Sequence, residues 1–259
     1  MNATSHVLPV AGPPIAGQPR ISAIEGWTVR EYPVVSSTNL MAANLSAWEA
    51  VRAATQTAGR GRFQRRWVSD EGGLWLSAVV PVEPTAARAL PLAAGLAVCD
   101  ALRAAGVNRI RLRWPNDVLV HDLKLAGLLV DQFAPGLAVI GIGVNVYNRP
   151  EAGDIRLKNQ TTRLADLLPA TPTLCELATL LLGHLRSVVQ ELQEGGFNAL
   201  LPRVNRLWNR DGLVELDLDG PIRRGRFAGI DGEGRLILAD EAGGLEGYAS
   251  HQVRQLKEI

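Results

Sequence analysis

Hydrophobic and polar residues run together, alternate or repeat along the chain in patterns that predict strands and helices in mixed order. Apolar runs and alternation predict strands over 27–33, 74–81, 110–114 and 137–144, and a hairpin with arms 118–120 and 124–130. Apolar residues at helical spacing predict helices over 36–46, 86–105 and 173–193. Because strands and helices do not alternate strictly, the pattern favours an α+β fold over a doubly wound one.

The character of the chain changes at both ends. Residues 1–20 contain four prolines, and Arg20 is their only formal charge, a composition that predicts a mobile tail. From Asp211 onward, short alternating runs are separated by Asp-Gly and Gly-Gly turns, which is typical of a small antiparallel β module. We therefore expect a disordered tail at 1–22, a main domain at 23–210 and a C-terminal β domain at 211–259.

Composition and charge narrow the class of protein. The 259 residues are 47% hydrophobic and 20% charged, as is ordinary for a globular protein. A net charge of +1 gives no support for nucleic-acid binding, and no apolar run approaches the roughly 18 residues of a membrane span. Without a secretion signal we expect a cytoplasmic protein. The histidines show no metal-ligand spacing, and Cys99 and Cys175 are expected to be buried structural thiols.

Four arginines and two glycines fall within 59–67. Glycine lets backbone N–H groups approach an anion closely, and arginine grips phosphate or carboxylate oxygens with paired hydrogen bonds. A run of charge alone is usually a solvated surface, but the interleaved glycines and the flanking Gln56 and Trp67 favour a ligand-binding loop. Among the four arginines, we expect Arg60 and Arg62 to contact the anion.

Four further motifs combine polar residues with glycine or proline. They are Ser37-Thr38-Asn39, Trp114-Pro-Asn-Asp117, Lys124-Leu-Ala-Gly127 and Gly141-Ile-Gly-Val-Asn145. Taken alone, the first indicates a helix N-cap, the second a turn, and the hairpin lysine a solvated side chain. Asp117 is also compatible with binding Mg²⁺ or with accepting a proton. The last motif lacks the third glycine of a dinucleotide-binding fingerprint.

In this order, the five motifs resemble those of biotin protein ligases, which make biotinyl-adenylate from biotin and ATP and pass the biotinyl group to a carrier lysine. The resemblance runs from about Trp27 to the C-terminus. It implies a mixed sheet with flanking helices, of the class II aminoacyl-tRNA-synthetase type, followed by a small SH3-like barrel. Some members also carry an N-terminal winged-helix domain and repress transcription. Because Ser37 comes too early for such a domain, we expect the catalytic, non-repressor form.

The resemblance also implies roles for individual residues. Lys124 is expected to act as a fixed charge between the biotin carboxylate and the α-phosphate, with Arg62 and Asp117 beside it in the catalytic set. The implied biotin-binding residues are Ser37, Thr38, Asn39, Gln56, Gly59, Arg60, Gly61, Arg62 and Lys124. The implied nucleotide-binding residues are Arg60, Arg62, Trp67, Asn116, Lys124 and Asn145. No residue is assigned to a metal site of the protein, since Mg²⁺ would arrive with the ATP phosphates.

The arginine loop departs from the family pattern, which reads Gly-Arg-Gly-Arg-Arg-Gly-Arg-x-Trp. Phe63 and Gln64 stand at the fifth and sixth places. We expect the loss of the third glycine to remove the freedom for positive φ and to change how the loop closes. Arg60 and Arg62 stay in place, whereas the role of Arg65 is left open.

Other functions remain open from the sequence. A lipoate or octanoate ligase of the same fold would lack the Gly-Arg-Gly-Arg loop, and a non-catalytic biotin-binding or regulatory module would not need Arg62 with Lys124. As partners we expect a biotin carboxyl carrier domain of a carboxylase, no sequence-specific DNA and no membrane. A monomer and a homodimer are both compatible with the sequence.

Overall fold

A computed structural model describes residues 17–208 and 212–259. Residues 1–16, most of the expected tail, and residues 209–211, where the expected domain boundary falls, lie outside the described residues. The first strand already begins at Arg20, inside the stretch assigned to the tail.

Strands and helices alternate irregularly along the described chain. The strands are β1 Arg20–Ile24, β2 Trp27–Val35, β3 Glu49–Gln56, β4 Leu74–Pro81, β5 Ile110–Arg113, β6 Asp117–Val120, β7 Leu123–Ala134, β8 Leu137–Val144, β9 Leu213–Asp217, β10 Ile222–Ile230, β11 Leu236–Ala239, β12 Leu245–Tyr248 and β13 Gln255–Glu258. The α-helices are α1 Thr38–Ala42, α2 Leu90–Ala104, α3 Pro150–Gly153, α4 Leu164–Leu167 and α5 Leu174–Trp208.

The first eight strands form one mixed sheet in the order β1-β2-β3-β4-β8-β7-β6-β5. Strands β2 and β3 are parallel, with α1 in the connection between them, and the other neighbouring strands are antiparallel. This arrangement confirms the α+β class with a mixed sheet and flanking helices. It also confirms the expected β6–β7 hairpin, whose second arm carries Lys124.

One face of this sheet carries the main hydrophobic core. Alternate residues of the central strands, among them Leu74, Leu76 and Ile140, are fully buried in one cluster with residues of α2 and α5. Burial of each such side chain contributes roughly 1.5–3 kcal/mol. Helix α2 comes close to the sheet at Gly95, where an added Cβ would lie 2.5 Å from Leu112 Cδ1. The helices therefore cover this face, and the opposite face is left for α1 and for the arginine-containing loop at 59–67.

The last five strands form an antiparallel sheet in the order β12-β11-β10-β9-β13, as expected for an SH3-like module. It packs on the end of α5, where the rings of Trp208 and Phe227 stack with centroids 4.2 Å apart. Asn205 accepts a hydrogen bond from the Ile230 amide at 2.7 Å and donates to the Ile230 carbonyl at 3.0 Å. Because both backbone groups of Ile230 depend on this side chain, α5 and the small sheet are joined through polar as well as apolar contacts.

Several elements differ from the sequence-based expectations. The expected helix over 36–46 shrinks to α1, and strand β3 was not anticipated because polar residues interrupt its apolar pattern. Helix α5 does break at Gly196, where φ is 66°, but helical structure resumes and continues to Trp208. Cys99 is buried, and burial raises its pKa to about 12. The expectation of burial was wrong for Cys175, which is exposed on α5.

The Asn205 contact gives a test of how the two sheets are coupled. Asn205→Ala should lower the free energy of unfolding by about 1–3 kcal/mol, because it leaves a donor and an acceptor of Ile230 unpaired. Urea denaturation measures the change, with the exposed Asn108→Ala as the matched control. A change as small as that of the control would contradict the coupling.

Candidate functional site

The second face of the large sheet is built around three glycines. Directly paired residues of neighbouring strands point to the same face, so the pairs Gly127–Gly143 and Gly143–Trp75 share one face, as do Gly141 and Ser77. We call Gly127, Gly141 and Gly143 the glycine floor. It lies at the centre of the sheet, on strands β7 and β8, and leaves space that other side chains would fill.

Helix α1 uses this space from one side. A Cβ added to Gly141 would lie 2.2 Å from Asn39 Oδ1, so only glycine allows Asn39 to rest on the floor. Ser37 precedes the helix but makes no side-chain capping hydrogen bond. Ser37, Thr38 and Asn39 are all buried. The motif that indicated an N-cap therefore directs its side chains toward the sheet.

A chain of polar side chains runs from the sheet through α1 to β3. The Asn39 amide nitrogen donates to Asp131 Oδ2 at 2.8 Å, and Ser77 Oγ lies 2.6 Å from Asn39 Oδ1 and 2.7 Å from Thr38 Oγ1. Gln56 Oε1 accepts from the Thr38 amide at 2.8 Å and lies 3.0 Å from Thr38 Oγ1. The chain places polar groups beside the glycine floor at fixed positions.

The ligand loop, Gly59–Trp67, begins three residues after Gln56, which is the last member of this chain of polar side chains. Gln56 donates to Ser69 Oγ at 2.9 Å, and an added Cβ at Gly59 would lie 2.4 Å from the same oxygen. The loop folds back on itself, with a bridge between Arg60 and Arg66. Its base is thus held to β3 by side-chain and backbone contacts.

The tip of the loop corrects one expectation. Phe63 and Gln64 adopt φ values of 53° and 59°, so the place of the third family glycine keeps the left-handed conformation although the residue is Gln64. For residues with a Cβ this conformation costs roughly 1–2 kcal/mol each. The substitution therefore preserves the turn and adds strain to it.

Trp67 brings the end of the ligand loop onto the floor. Cβ atoms added to Gly143 and Gly127 would lie 2.5 Å and 2.9 Å from its ring. The Lys124 ammonium lies 4.9 Å from the centre of the same ring, a cation–π contact. The indole N–H of Trp67 is buried and has no hydrogen-bond partner within residues 17–208 and 212–259. The tryptophan covers the floor in this structure, and a ligand there would meet its ring.

Lys124 belongs to a compact group of charges at the edge of the floor. Its ammonium lies 2.6 Å from Asp117 Oδ1, and Arg113 Nη2 lies 2.8 Å from Asp117 Oδ2. Burial alone would raise the pKa of Asp117, but the charges and hydrogen bonds of Lys124 and Arg113 outweigh it and hold that pKa below its usual value. Asp117 faces Gly127 in the β6–β7 ladder, so the carboxylate fixes Lys124 beside the floor.

Arg62 contacts the C-terminal module in this structure. Its guanidinium donates to the carbonyl oxygens of Ser250 and, at 3.0 Å, of Val253 in the C-terminal module. Arg65 reaches the neighbouring Arg254 carbonyl at 3.4 Å. Burial lowers the pKa of Arg62, and Asp117 acts in the opposite direction through its charge. The ligand loop is therefore attached to the second sheet through two arginines.

The two asparagines of the expected nucleotide site already make hydrogen bonds within the protein. Asn116 donates to the Leu128 carbonyl at 2.6 Å, across the hairpin. Asn145 is buried, donates to the Thr162 carbonyl at 3.2 Å and accepts from Asn148 at 3.1 Å. Both side chains hold strand ends and the 147–162 segment in place around Lys124.

The structure brings five of the expected site residues around the glycine floor and adds others. Thr38, Asn39, Gln56, Trp67 and Lys124 surround the glycine floor. The sequence reasoning missed Ser69, Ser77, Arg113 and Asp131 as parts of this site. Ser77 and Asp131 could have been noticed as single polar residues that interrupt or end the apolar runs of β4 and β7.

Two classes of feature are missing from the described part of the chain. No helix within residues 17–208 and 212–259 has the length and apolar character to cross a membrane. The same residues contain no group of three His, Cys, Asp or Glu side chains that could hold a metal ion.

Comparisons with known proteins point to one family. Residues 32–145, which contain all five motifs, match the Biotin/lipoate A/B protein ligase family. The chain is 34% identical to the biotin–[acetyl-CoA-carboxylase] ligase of Mycobacterium tuberculosis, over 84% of this chain and 86% of that protein. It is 32% identical to the bifunctional ligase/repressor BirA of Escherichia coli, over 85% of this chain and 72% of that protein. The structure of the Aquifex aeolicus biotin protein ligase in complex with biotin and ATP superposes with a TM-score of 0.78 at 27% identity, and covers 89% of this chain and 99% of that one.

The charge group gives a pH-dependent test. Because the folded-state pKa of Asp117 is lowered, its ionic contacts stabilise the fold above the unfolded-state pKa near 4 and are lost as the pH falls through the lower folded value. At pH 7, Asp117→Asn should cost somewhat less than the roughly 3–5 kcal/mol of a fully buried pair, since 17% of the side chain is exposed.

Urea denaturation between pH 3 and pH 7 checks this expectation. The difference between wild type and Asp117→Asn should shrink below about pH 4, while the exposed Glu241→Gln control stays close to wild type throughout. A difference that stays constant or grows toward pH 3 would show that Asp117 is not stabilised as its ionised form.

Proposed function

Since the chain belongs to the biotin protein ligase family, we propose that it is an ATP-dependent ligase that makes biotinyl-5′-adenylate and transfers the biotinyl group to a carrier lysine. The substrates biotin and ATP are those bound in the similar Aquifex aeolicus structure. The acceptor lysine would belong to a biotin carboxyl carrier domain of a carboxylase. A cytoplasmic location, where ATP and such carriers occur together, is part of the proposal.

One observation carries the proposal: Lys124 is a fixed cation at the edge of the glycine floor, beside the apolar ring of Trp67. Asp117 holds its ammonium at 2.6 Å, and Trp67 lies on its other side. Attack of a carboxylate on the α-phosphorus of ATP brings two anions together, and a pre-positioned cation lowers the barrier without reorganising during the reaction. Lys124 acts here through its charge, as a non-nucleophilic group.

The biotin ring system would lie beside α1, against the Trp67 ring that covers the floor. Ser37, Thr38, Asn39 and Gln56 supply hydroxyl and carboxamide groups, which suit a ureido ring that both donates and accepts hydrogen bonds. All four side chains are buried or half-buried, and hydrogen bonds through Ser77 already order Thr38, Asn39 and Gln56. Little conformational entropy would therefore be lost when the ligand binds.

The ligand loop would close over the reactants. Arg62 now donates to two neutral carbonyl oxygens, whereas hydrogen bonds to a carboxylate or phosphate are charge-assisted and stronger. An anionic ligand on the floor therefore competes for the guanidinium. Arg62, together with Arg60 and the backbone of Gly59 and Gly61, would hold the mixed anhydride and keep water away from it.

The nucleotide would extend toward the 147–162 segment, past Lys124, Asn116 and Asn145. Mg²⁺ would be carried mainly by the ATP phosphates, because both oxygens of Asp117 already contact cations. We therefore infer that Asp117 positions Lys124 and does not bind the metal. Its alternative role, accepting the proton of the carrier lysine, would require one of those contacts to open.

Two alternatives are separated by one assay. A lipoate or octanoate ligase would activate its own acid, and a non-catalytic biotin-binding module would activate none. Exchange of labelled pyrophosphate into ATP should depend on biotin and should not occur with lipoate. Exchange with lipoate alone would favour the first alternative, and biotin binding without exchange the second.

Lys124→Ala should lower the rate of biotin-dependent exchange by about 100-fold or more, as expected for loss of a transition-state charge contact. The exposed Lys257→Ala is the matched control and should retain the wild-type rate. Thermal unfolding checks that the variant is folded. In Lys124→Ala, Asp117 keeps Arg113 and loses its second cation, so the double variant Lys124→Ala/Asp117→Asn removes that carboxylate charge as well. Near wild-type exchange in either Lys124 variant would contradict the assigned role.

A further inference from the structure

The polar chain beside the glycine floor has fixed directions at both of its ends. The Asn39 amide nitrogen faces Asp131 and, at 3.4 Å, the Leu129 carbonyl, both of which only accept. Asn39 Oδ1 must then face Ser77. At the other end, the Thr38 amide donates to Gln56 Oε1, and the Gln56 amide nitrogen donates to Ser69. The two side-chain oxygens that close the chain, Asn39 Oδ1 and Gln56 Oε1, are therefore both acceptors.

Between these two acceptors the chain is one hydrogen short. Three contacts join the oxygens: Asn39 with Ser77 at 2.6 Å, Ser77 with Thr38 at 2.7 Å, and Thr38 with Gln56 at 3.0 Å. Each contact needs one hydrogen, and the hydroxyls of Ser77 and Thr38 supply only two. One pair of oxygens must lie in contact without a hydrogen between them, which is unfavourable in a buried place.

The missing hydrogen is needed at the end of the chain that a ligand can reach. Ser77 is fully buried, and Thr38 is 3% exposed, whereas Gln56 is half-buried. When Ser77 donates to Asn39 and Thr38 donates to Ser77, the deficit lies between Thr38 Oγ1 and Gln56 Oε1. An N–H group of a ligand placed there donates to one of these oxygens and completes the chain.

We propose that Asp131 is a positioning residue that gives this chain its acceptor character and so sets the preference for a ligand with an N–H donor. The proposal deepens the function proposed above, because the ureido N–H groups of biotin are such donors. Asp131 acts on the ligand through Asn39, Ser77 and Thr38. Its negative charge forces the Asn39 amide into one of its two orientations.

An isosteric change at Asp131 removes the constraint. In Asp131→Asn, the new amide can donate to Asn39 Oδ1, and Asn39 can turn its own amide nitrogen toward Ser77. The turn gives up the long 3.4 Å contact with the Leu129 carbonyl, which is the weaker of the two contacts that fix the Asn39 amide. Ser77 then donates to Thr38, and Thr38 to Gln56, so every contact has its hydrogen without a ligand. The variant loses the need for an N–H donor while its shape is unchanged.

The experiment measures biotin binding to the full chain by titration calorimetry, and the KM for ATP in pyrophosphate exchange. Asp131→Asn should raise the Kd for biotin about tenfold, the effect of one hydrogen bond, with the KM for ATP unchanged. Its ligand-free melting temperature should equal or exceed that of wild type. Glu83→Gln, which removes one exposed negative charge, should bind biotin like wild type.

A swap variant tests the direction of the hydrogen bonds. In Asn39→Asp/Asp131→Asn the carboxylate faces Ser77, so the acceptor end is restored and the Kd for biotin should return to within about threefold of wild type. This variant carries the test even if the single change is poorly folded. Any of three results would overturn the proposal. They are an unchanged Kd for biotin in Asp131→Asn, a KM for ATP that rises as much as that Kd, and a swap variant that binds biotin no more tightly than Asp131→Asn. If wild type binds no biotin, the proposed function itself fails, whereas tight wild-type binding with any of those results removes only the role of Asp131.

Discussion

The absence of side chains at Gly127, Gly141 and Gly143 is the constraint on which the rest of the site depends. A Cβ added to Gly141 would lie 2.2 Å from Asn39, and one added to Gly143 or Gly127 would lie 2.5 Å or 2.9 Å from the Trp67 ring. With the floor empty, α1 and the ligand loop can both approach the sheet. Their polar side chains then meet over an apolar surface. The site is thus a consequence of how closely backbone and side chain can pack at three positions.

Charge is arranged around this floor in two different ways. Lys124 is held by Asp117, which Arg113 also neutralises, so the ammonium has a fixed position before any ligand arrives. Arg62 is instead engaged with carbonyl oxygens of the C-terminal module and is free to exchange them for stronger anionic partners. The fixed cation suits the chemical step, and the exchangeable one suits loop closure. Arg62 and Arg65 attach the loop to the C-terminal module through carbonyl oxygens of Ser250, Val253 and Arg254.

The sequence predicted the central strands and the hairpin well, because long apolar runs such as Leu74–Pro81 have one stable environment, the middle of a sheet. It predicted α1 too long, since Thr38 and Asn39 turn their side chains into the sheet network and the helix ends at Ala42. The loop, Lys124 and Asp117 could be recognised from their motifs. Ser77 and Asp131 could not be linked, because 54 positions of chain separate them and only the strand register makes them neighbours of the same asparagine.

Ligands are proposed to bind at the glycine floor and the ligand loop, opposite the helix-covered face. Amide hydrogen exchange with and without biotin and ATP tests this directly. We expect slower exchange in the ligand loop, in 37–39 and in 124–129, with unchanged exchange in α2 and α5. Protection confined to α2 and α5, or none in the loop and floor strands, would contradict it.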